Sequence, residues 1–287
     1  MFIAPFTLIL SGATGSGKTQ WLMKLLRSYA ELIDPPPAKI LYCYSEMNQS
    51  VIELMKRGIE IHNGVPDQAL ILNQPKPLLL VLDDLMLNVG NDFLDLLFTR
   101  GSHNWNVSVI FVTQSLYGRN IKTARANSHY LVLTRNPSGQ LQVRTVGSQL
   151  FQKRLNYFME AYNEATSQPF SYLVINMHPN APENERLTSK IFPGENPEQI
   201  LGLVEICANI LKFNFRLNRR QRRRLAVYAD YYRAIARSRS EPTARQRLQQ
   251  GSGIALGAIL APIISVLAEQ LIQKIVTAAP SSATKTT

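Results

Sequence analysis

Eight residues near the N-terminus, Gly12-Ala13-Thr14-Gly15-Ser16-Gly17-Lys18-Thr19, fit the pattern G-x-x-x-x-G-K-[ST] without a mismatch. Gly12, Gly15 and Gly17 let the backbone turn its N–H groups inward around anionic oxygens, at angles a Cβ would forbid. A helix starting at Lys18 aims its positive end at the same charge. In such a loop the lysine, here Lys18, reaches the β- and γ-phosphates, and the Thr19 hydroxyl ligates Mg²⁺. A second group of chemically capable residues stands further on, where the apolar run "PLLLVLDDL" (77–85) delivers Asp83 and Asp84. An apolar strand that ends in carboxylates downstream of a phosphate loop can hold Mg²⁺ through one acid and polarise water with the next, so Asp83 is assigned to the metal and Asp84 to the water. A third run, "VSVIFVTQS" (107–115), ends in Thr113 and Gln114; a glutamine there can hydrogen-bond a γ-phosphate or its water.

These residues need a scaffold, and the surrounding sequence supplies one. "FTLILSG" before the loop has strand length, and "KTQWLMKLLRSYAELI" after it places Trp21, Leu22, Leu25, Leu26 and Tyr29 at helical spacing. Further apolar runs, "KILYCYSE" (39–46), "HYLVLTRN" (129–136) and "FSYLVINM" (170–177), are rich in branched and aromatic residues, as in strands covered on both faces. Helical patterns lie between them, in "SVIELMKRG", "NDFLDLLFTRG" and "SQLFQKRLNYFMEAYNEAT". Strands alternating with helices predict a parallel α/β sheet.

Composition bounds the rest. The 287 residues are 45% hydrophobic, enough for one large core and a smaller appendage. Cys43 and Cys207 give neither a disulfide framework nor a metal spacing, which predicts a reducing compartment. His62, His103, His129 and His178 are scattered without ligand spacing and read as structural. "MFIAPFTLIL" lacks the basic start and cleavage site of an export signal and reads as a core strand. The formal charge of +11 is uneven: residues 1–200 hold 17 of 31 basic and 16 of 20 acidic side chains, leaving 14 basic against 4 acidic for 201–287. A near-neutral domain is followed by a strongly basic tail.

Phosphate loop, acidic pair one strand–helix unit later, and a strand ending in Gln114 resemble the additional-strand class of P-loop ATPases, and within it the FtsK/HerA superfamily of DNA pumps. The stretches "LLLVLDDLM", "LLFTRGSHNWNVSVIFVTQSLYGRN", "ANSHYLVLTRNPSGQLQ" and "FMEAYNEATSQPFSYLVINMHP" resemble the genome-packaging ATPases of Polinton (Maverick) and adintovirus-like elements, related to the poxvirus packaging ATPase. The similarity covers about residues 5 to 195. It implies a RecA-like, mostly parallel sheet and a homo-oligomeric ring, a hexamer, that uses ATP and Mg²⁺ to pull double-stranded DNA into a capsid through a capsid or portal-vertex protein. The place of action would be the host nucleus or viral assembly site, with association to the virion. By motif position Lys18 and Thr19 carry over as phosphate and Mg²⁺ ligands, Asp83 and Asp84 as the acidic pair, and Gln114 as the sensor. Relatives often carry Arg-Asp after the "NP" that follows the fifth strand, whereas this chain has Asn136-Pro137-Ser138-Gly139. A trans-acting arginine must then come from elsewhere, with Arg100, Arg119, Arg125 and Arg135 as candidates.

The sequence is expected to divide into a P-loop ATPase domain (1–200), a basic helical DNA-binding or import segment (201–250), a Gly-rich start with an apolar helix (251–279) and a disordered terminus (280–287). Arg219, Arg220, Arg222, Arg223 and Arg224 form a cluster suited to phosphate backbones or to nuclear import. Within 254–276, Leu256, Leu260, Ile264, Leu267, Leu271 and Ile275 fall at helical spacing. That face seeks an apolar partner ahead of a membrane surface. Two roles are therefore open: an enzyme that translocates DNA, and a structural protein that tethers DNA and docks on a capsid. A small-molecule kinase is disfavoured by the strand-end glutamine.

Overall fold

A computed structural model describes residues 1–86, 88–118, 121–195, 219, 223 and 229–237. The chain divides into two units, Met1–Ile191 and Phe192–Thr287. In the first, the strands are β1 (Phe2–Ile3), β2 (Thr7–Ser11), β3 (Ile33–Asp34), β4 (Lys39–Tyr44), β5 (Glu60–Asn63), β6 (Leu78–Asp83), β7 (Val107–Thr113), β8 (Tyr130–Thr134), β9 (Tyr172–Asn176) and β10 (Leu187–Thr188). β1 and β3 pair with each other. The remaining eight form one sheet in the order β10-β9-β8-β2-β7-β6-β4-β5. From β8 across to β5 the sheet is parallel, and β9 and β10 each run antiparallel to the neighbour before them.

Every residue of β2, β6, β7 and β8 is buried, which explains why these strands read as unbroken apolar runs. The helices that cover them are α1 (Lys18–Arg27), α2 (Tyr29–Leu32), α3 (Gln49–Lys56), α4 (Gln68–Leu72), α5 (Asn91–Leu96), α6 (Ser102–Asn104), α7 (Lys122–Ala126), α8 (Gln140–Phe151) and α9 (Leu155–Ala165). The loop between β2 and α1 carries the glycine pattern, and β6 carries the acidic pair. β7 lies between those two strands. This mostly parallel sheet, with its phosphate loop after β2 and one strand inserted before the acidic strand, is a P-loop NTPase fold of the additional-strand class.

The local departures from the sequence reading have physical causes. The helix expected to run from Lys18 to Ile33 is interrupted at Ser28, whose N–H reaches the Lys24 and Leu25 carbonyls and closes α1. The later helix begins at Gln140 rather than near Ser148, nucleated by the Asn136 side chain, which accepts from Gly139 N at 3.0 Å. It breaks at Gln152–Arg154 and folds back as α9. Gly147 permits that hairpin, because a Cβ there would stand 2.3 Å from Phe158 Cδ1. The strands that the sequence does not announce are β3, a two-residue pairing with β1, and β5 and β10, short edge strands only partly buried, with no apolar run of their own.

In the second unit the described residues include a helix, α10 (Ala229–Ala236), with Arg233 and Asp230 paired at 2.6 Å on successive turns. Arg219 and Arg223 are helical and exposed. Arg119, Arg220, Arg222, Arg224 and the segments 251–279 and 280–287 lie outside the described residues. Among those described, no helix is long and apolar enough to cross a membrane.

Candidate nucleotide site

The parallel strands all end at one edge of the sheet, and the loop Gly12–Gly17 sits there between the end of β2 and the start of α1. Gly15 has φ +75° and Gly17, the residue before α1, φ +100°, so the sharp turn into the helix uses a conformation that L side chains rarely adopt. Gly12 is required for space instead: a Cβ would stand 1.8 Å from Thr134 Oγ1 at the end of β8. Thr134 holds the loop from that side, its hydroxyl 2.6 Å from Ser16 Oγ and donating to Ser11 O at 3.3 Å. Lys18 Nζ curls back over the loop, donating to Gly12 O at 2.8 Å and Ala13 O at 2.9 Å. Burial lowers the Lys18 pKa, while Asp83 and Asp84 raise it; the three groups share one electrostatic neighbourhood. Thr14 and Thr19 are exposed on the same edge.

The acidic pair splits into two environments. Asp83, the last residue of β6, is 9% exposed and accepts a short hydrogen bond on Oδ2 from the buried Tyr42 hydroxyl. Burial pushes the Asp83 carboxyl above its usual range; the Tyr42 hydrogen bond opposes this, Asp84 adds to it, and Lys18 pulls it down again. Asp84 is exposed, with a left-handed backbone at φ +54° that turns it out of the strand direction. A buried, hydrogen-bonded carboxylate beside an exposed one suits the division between a metal-holding and a water-facing acid. Among the described residues no three His, Cys, Asp or Glu side chains converge on a metal position. A divalent cation would therefore rest on one carboxylate, a hydroxyl and the phosphates themselves, the usual habit of Mg²⁺, with Asp83 and Thr19 as the protein's share. The glycine turn and this hard-oxygen donor pair fit a magnesium–nucleotide ligand.

Gln114 stands exposed just beyond β7, and Thr14 Oγ1 donates to its Oε1 at 3.3 Å, linking the sensor position to the phosphate loop. The next residues are held in place by side chains not anticipated from the sequence. Gln142 of α8 accepts from Ser115 Oγ at 3.3 Å and from Leu116 N at 3.0 Å. Arg125 donates to Leu116 O through a short hydrogen bond and lies 3.9 Å above the Tyr117 ring.

The arginine candidates separate accordingly. Arg125 is engaged within its own chain and braces the segment after Gln114. Arg135 is exposed directly after β8, at the edge that carries the loop. Arg100, also exposed, lies in the wide turn Leu97–Gly101 between α5 and α6, shortly before the chain enters β7 at the opposite edge. Three of the four histidines, scattered in sequence, come together at that opposite edge: His129 stacks on His178 with centroids 4.6 Å apart and meets His103 edge-on at 5.4 Å, while His62 lies in β5.

Thr134, Tyr42 and Gln142 were missed because each acts from a neighbouring element, and a threonine, tyrosine or glutamine in such a segment carries no local signal. The one sequence hint is the position of Tyr42 within an apolar run, where a buried phenol needs a partner.

No protein-family model matches the chain, and no curated protein is similar to it in sequence. Solved structures resemble it in fold. The DNA-packaging ATPase B204 of Sulfolobus turreted icosahedral virus aligns at TM-score 0.44 with 10% identity, covering 65% of this chain and 97% of that one. The genome packaging NTPase B204 of Sulfolobus turreted icosahedral virus 2, in complex with ATP-gammaS, aligns at TM-score 0.40 with 14% identity over 64% and 96% of the two chains. A KaiC-like protein of Pyrococcus horikoshii aligns at 0.33 with 18% identity over 46% and 72%. At these values the likeness assigns no residue and no activity, and function rests on the site itself.

Proposed function

We propose that Met1–Ile191 binds and hydrolyses ATP with Mg²⁺, and that the full chain uses hydrolysis to move double-stranded DNA into the capsid of a virus or virus-like element. The observation that carries the enzymatic part is the meeting at one sheet edge of Lys18, the Asp83–Asp84 pair and Gln114, the last joined to the phosphate loop through Thr14. Lys18 neutralises the terminal phosphates and Asp83 is the carboxylate for the metal. Asp84 takes up a proton from the attacking water, and Gln114 orients that water. Bound Mg²⁺ would supply Lewis-acid stabilisation of charge on the phosphate oxygens.

The DNA-moving part is supported by the order of sequence motifs, which resembles that of packaging ATPases, and by the basic tail. The proposal places the protein in a ring of like subunits, with a capsid or portal-vertex partner, at the viral assembly site or in the host nucleus. ATP hydrolysis by the purified chain, measured with and without long duplex DNA, tests both halves. Turnover that rises with DNA is expected; absent turnover removes the enzyme, and turnover indifferent to DNA removes the pump. Replacing Arg219, Arg220, Arg222, Arg223 and Arg224 with glutamine in the full chain should flatten the salt dependence of DNA affinity by up to about 4.5 log–log units, at roughly 0.9 per phosphate released. An unchanged slope assigns the cluster to import or capsid docking.

A further inference from the structure

The residues assigned above occupy one side of the phosphate loop, toward β7 and β6. On the other side, beyond β8, the chain turns through Gln168–Ser171 into β9 and places Phe170 against the loop: a Cβ on Gly17 would stand 3.0 Å from Phe170 Cα, Cβ and Cδ1. Three features of Phe170 are unusual together. Its ring is an exposed large apolar group, 48% accessible, in a unit that buries most of its aromatics. Its backbone is left-handed, φ +61°. It also stands after Pro169 in a turn closed by Ser171 N donating to Gln168 O at 3.3 Å, a position where positive φ ordinarily selects glycine. A bulky side chain at such a φ is strained, and strain of this kind persists where the side chain has a use.

We propose that Phe170 is the platform on which the base of the bound nucleotide stacks. The inference rests on the nucleotide reading of the loop. A triphosphate whose γ end lies toward Asp83, Asp84 and Gln114 carries its base away from them, across the start of α1 to the β8–β9 side, where Phe170 stands. A flat, half-exposed aromatic ring there meets the π face of a purine, and because every base has such a face the platform favours bound nucleotide over bare polyphosphate without choosing sharply between purines.

The test compares Mg·ATP with Mg·tripolyphosphate, which has the phosphates and no base, by calorimetric titration of the full-length protein. Phe170→Gly removes the ring while supplying the residue the turn prefers, so the fold and its thermal midpoint should be kept. ATP affinity should fall roughly ten-fold or more, the range of base–aromatic stacking, with tripolyphosphate affinity unchanged. Phe170→Trp should restore ATP affinity and add an indole emission that ATP quenches and tripolyphosphate does not. Equal weakening of both ligands in Phe170→Gly, or no weakening of either, overturns the platform while Lys18-dependent binding leaves the nucleotide reading standing. Binding of ATP and tripolyphosphate that is insensitive to Lys18→Ala overturns both.

Discussion

The two edges of the central sheet are built from the same strands and have opposite characters. Where the parallel strands end, the backbone is contorted and the polar groups face outward. Gly15, Gly17, Asp84, Phe170 and Lys190 all have positive φ there, and Thr14, Thr19, Asp84 and Gln114 are exposed. Where the strands begin, the inward-turned polar groups of Thr7 and His129 are answered within the fold. His129 Nδ1 accepts from Thr7 N at 3.0 Å, and Thr7 Oγ1 donates to Asn127 O at 2.8 Å. Beside them Phe2, Phe6, Tyr130 and His178 pack edge to face. Asn106, the non-glycine positive-φ residue at this edge, belongs to a type that tolerates the left-handed region. One edge holds strained and exposed groups ready for a ligand; the other is largely satisfied within the fold, although His178 Nε2 is buried there without a hydrogen-bond partner. Substitutions at the first should therefore change activity with little effect on stability, and substitutions at the second the reverse.

The largest effect belongs to Lys18→Ala. It removes the loop's cation from the phosphate position, so hydrolysis should vanish and ATP affinity should drop sharply while thermal stability is held; wild-type turnover would end the assignment. Asp84→Asn comes next. Mg·ATP affinity should survive, because Asp83 still holds the metal, while kcat falls by about 10²–10⁴ through loss of the proton acceptor. Collapse of Mg·ATP affinity in equilibrium titration would mean that the roles of the two acids are reversed.

Tyr42→Phe sharpens the contrast between buried support and exposed chemistry at the same edge. The Tyr42 hydroxyl occupies Asp83 Oδ2 from within the sheet, since β4 pairs with β6 and Tyr44 lies opposite Asp83. The other carboxylate oxygen takes no part in that hydrogen bond. Loss of a hydrogen bond behind a metal-holding carboxylate typically weakens metal affinity about ten-fold or more. The concentration of Mg²⁺, or of Mn²⁺ followed by its paramagnetic resonance, needed to half-saturate nucleotide-bound protein should rise accordingly. A lower melting temperature with unchanged metal dependence would make Tyr42 a packing residue only.

Much of this division was legible in the sequence, and its limits follow a rule. The loop, the acidic pair and Gln114 were readable because each lies on a contiguous stretch whose pattern carries its own mechanism. The central strands β2, β6, β7 and β8 were readable because burial on both faces leaves an apolar run. Tyr42, Thr134, Gln142 and Phe170 were not, because they meet the loop and the strand ends across the sheet, from positions 41 residues before Asp83 or 118 after Ser16. The same holds for His103, His129 and His178, whose meeting depends on strand order rather than spacing.

The smallest predicted effect lies at the satisfied edge and concerns acid stability. The His129 pKa is lowered to about 4, first by burial and then by the charges His178 and His103 would carry; His178 is lowered too, by burial and by His103. Because Nδ1 of His129 accepts from Thr7 N, a proton arriving there also breaks a hydrogen bond to the first residue of β2. In the unfolded chain the same imidazole titrates near its ordinary 6.5. Between about pH 6.5 and 4 the unfolded state binds the extra proton, so stability is intact above pH 6.5 and declines as pH falls through that window. The ring is partly open to solvent, which discounts the full shift to roughly 1–2 kcal/mol. Urea unfolding at a series of pH values should show this slope in the wild type, and His129→Gln, which keeps an acceptor but cannot take up the proton, should flatten it. ATP turnover of that variant at neutral pH should match the wild type. A slope that survives in His129→Gln would transfer the effect to His178, whose pKa is also lowered, or to carboxylates elsewhere. Lost turnover with unchanged stability would break the division between the two edges.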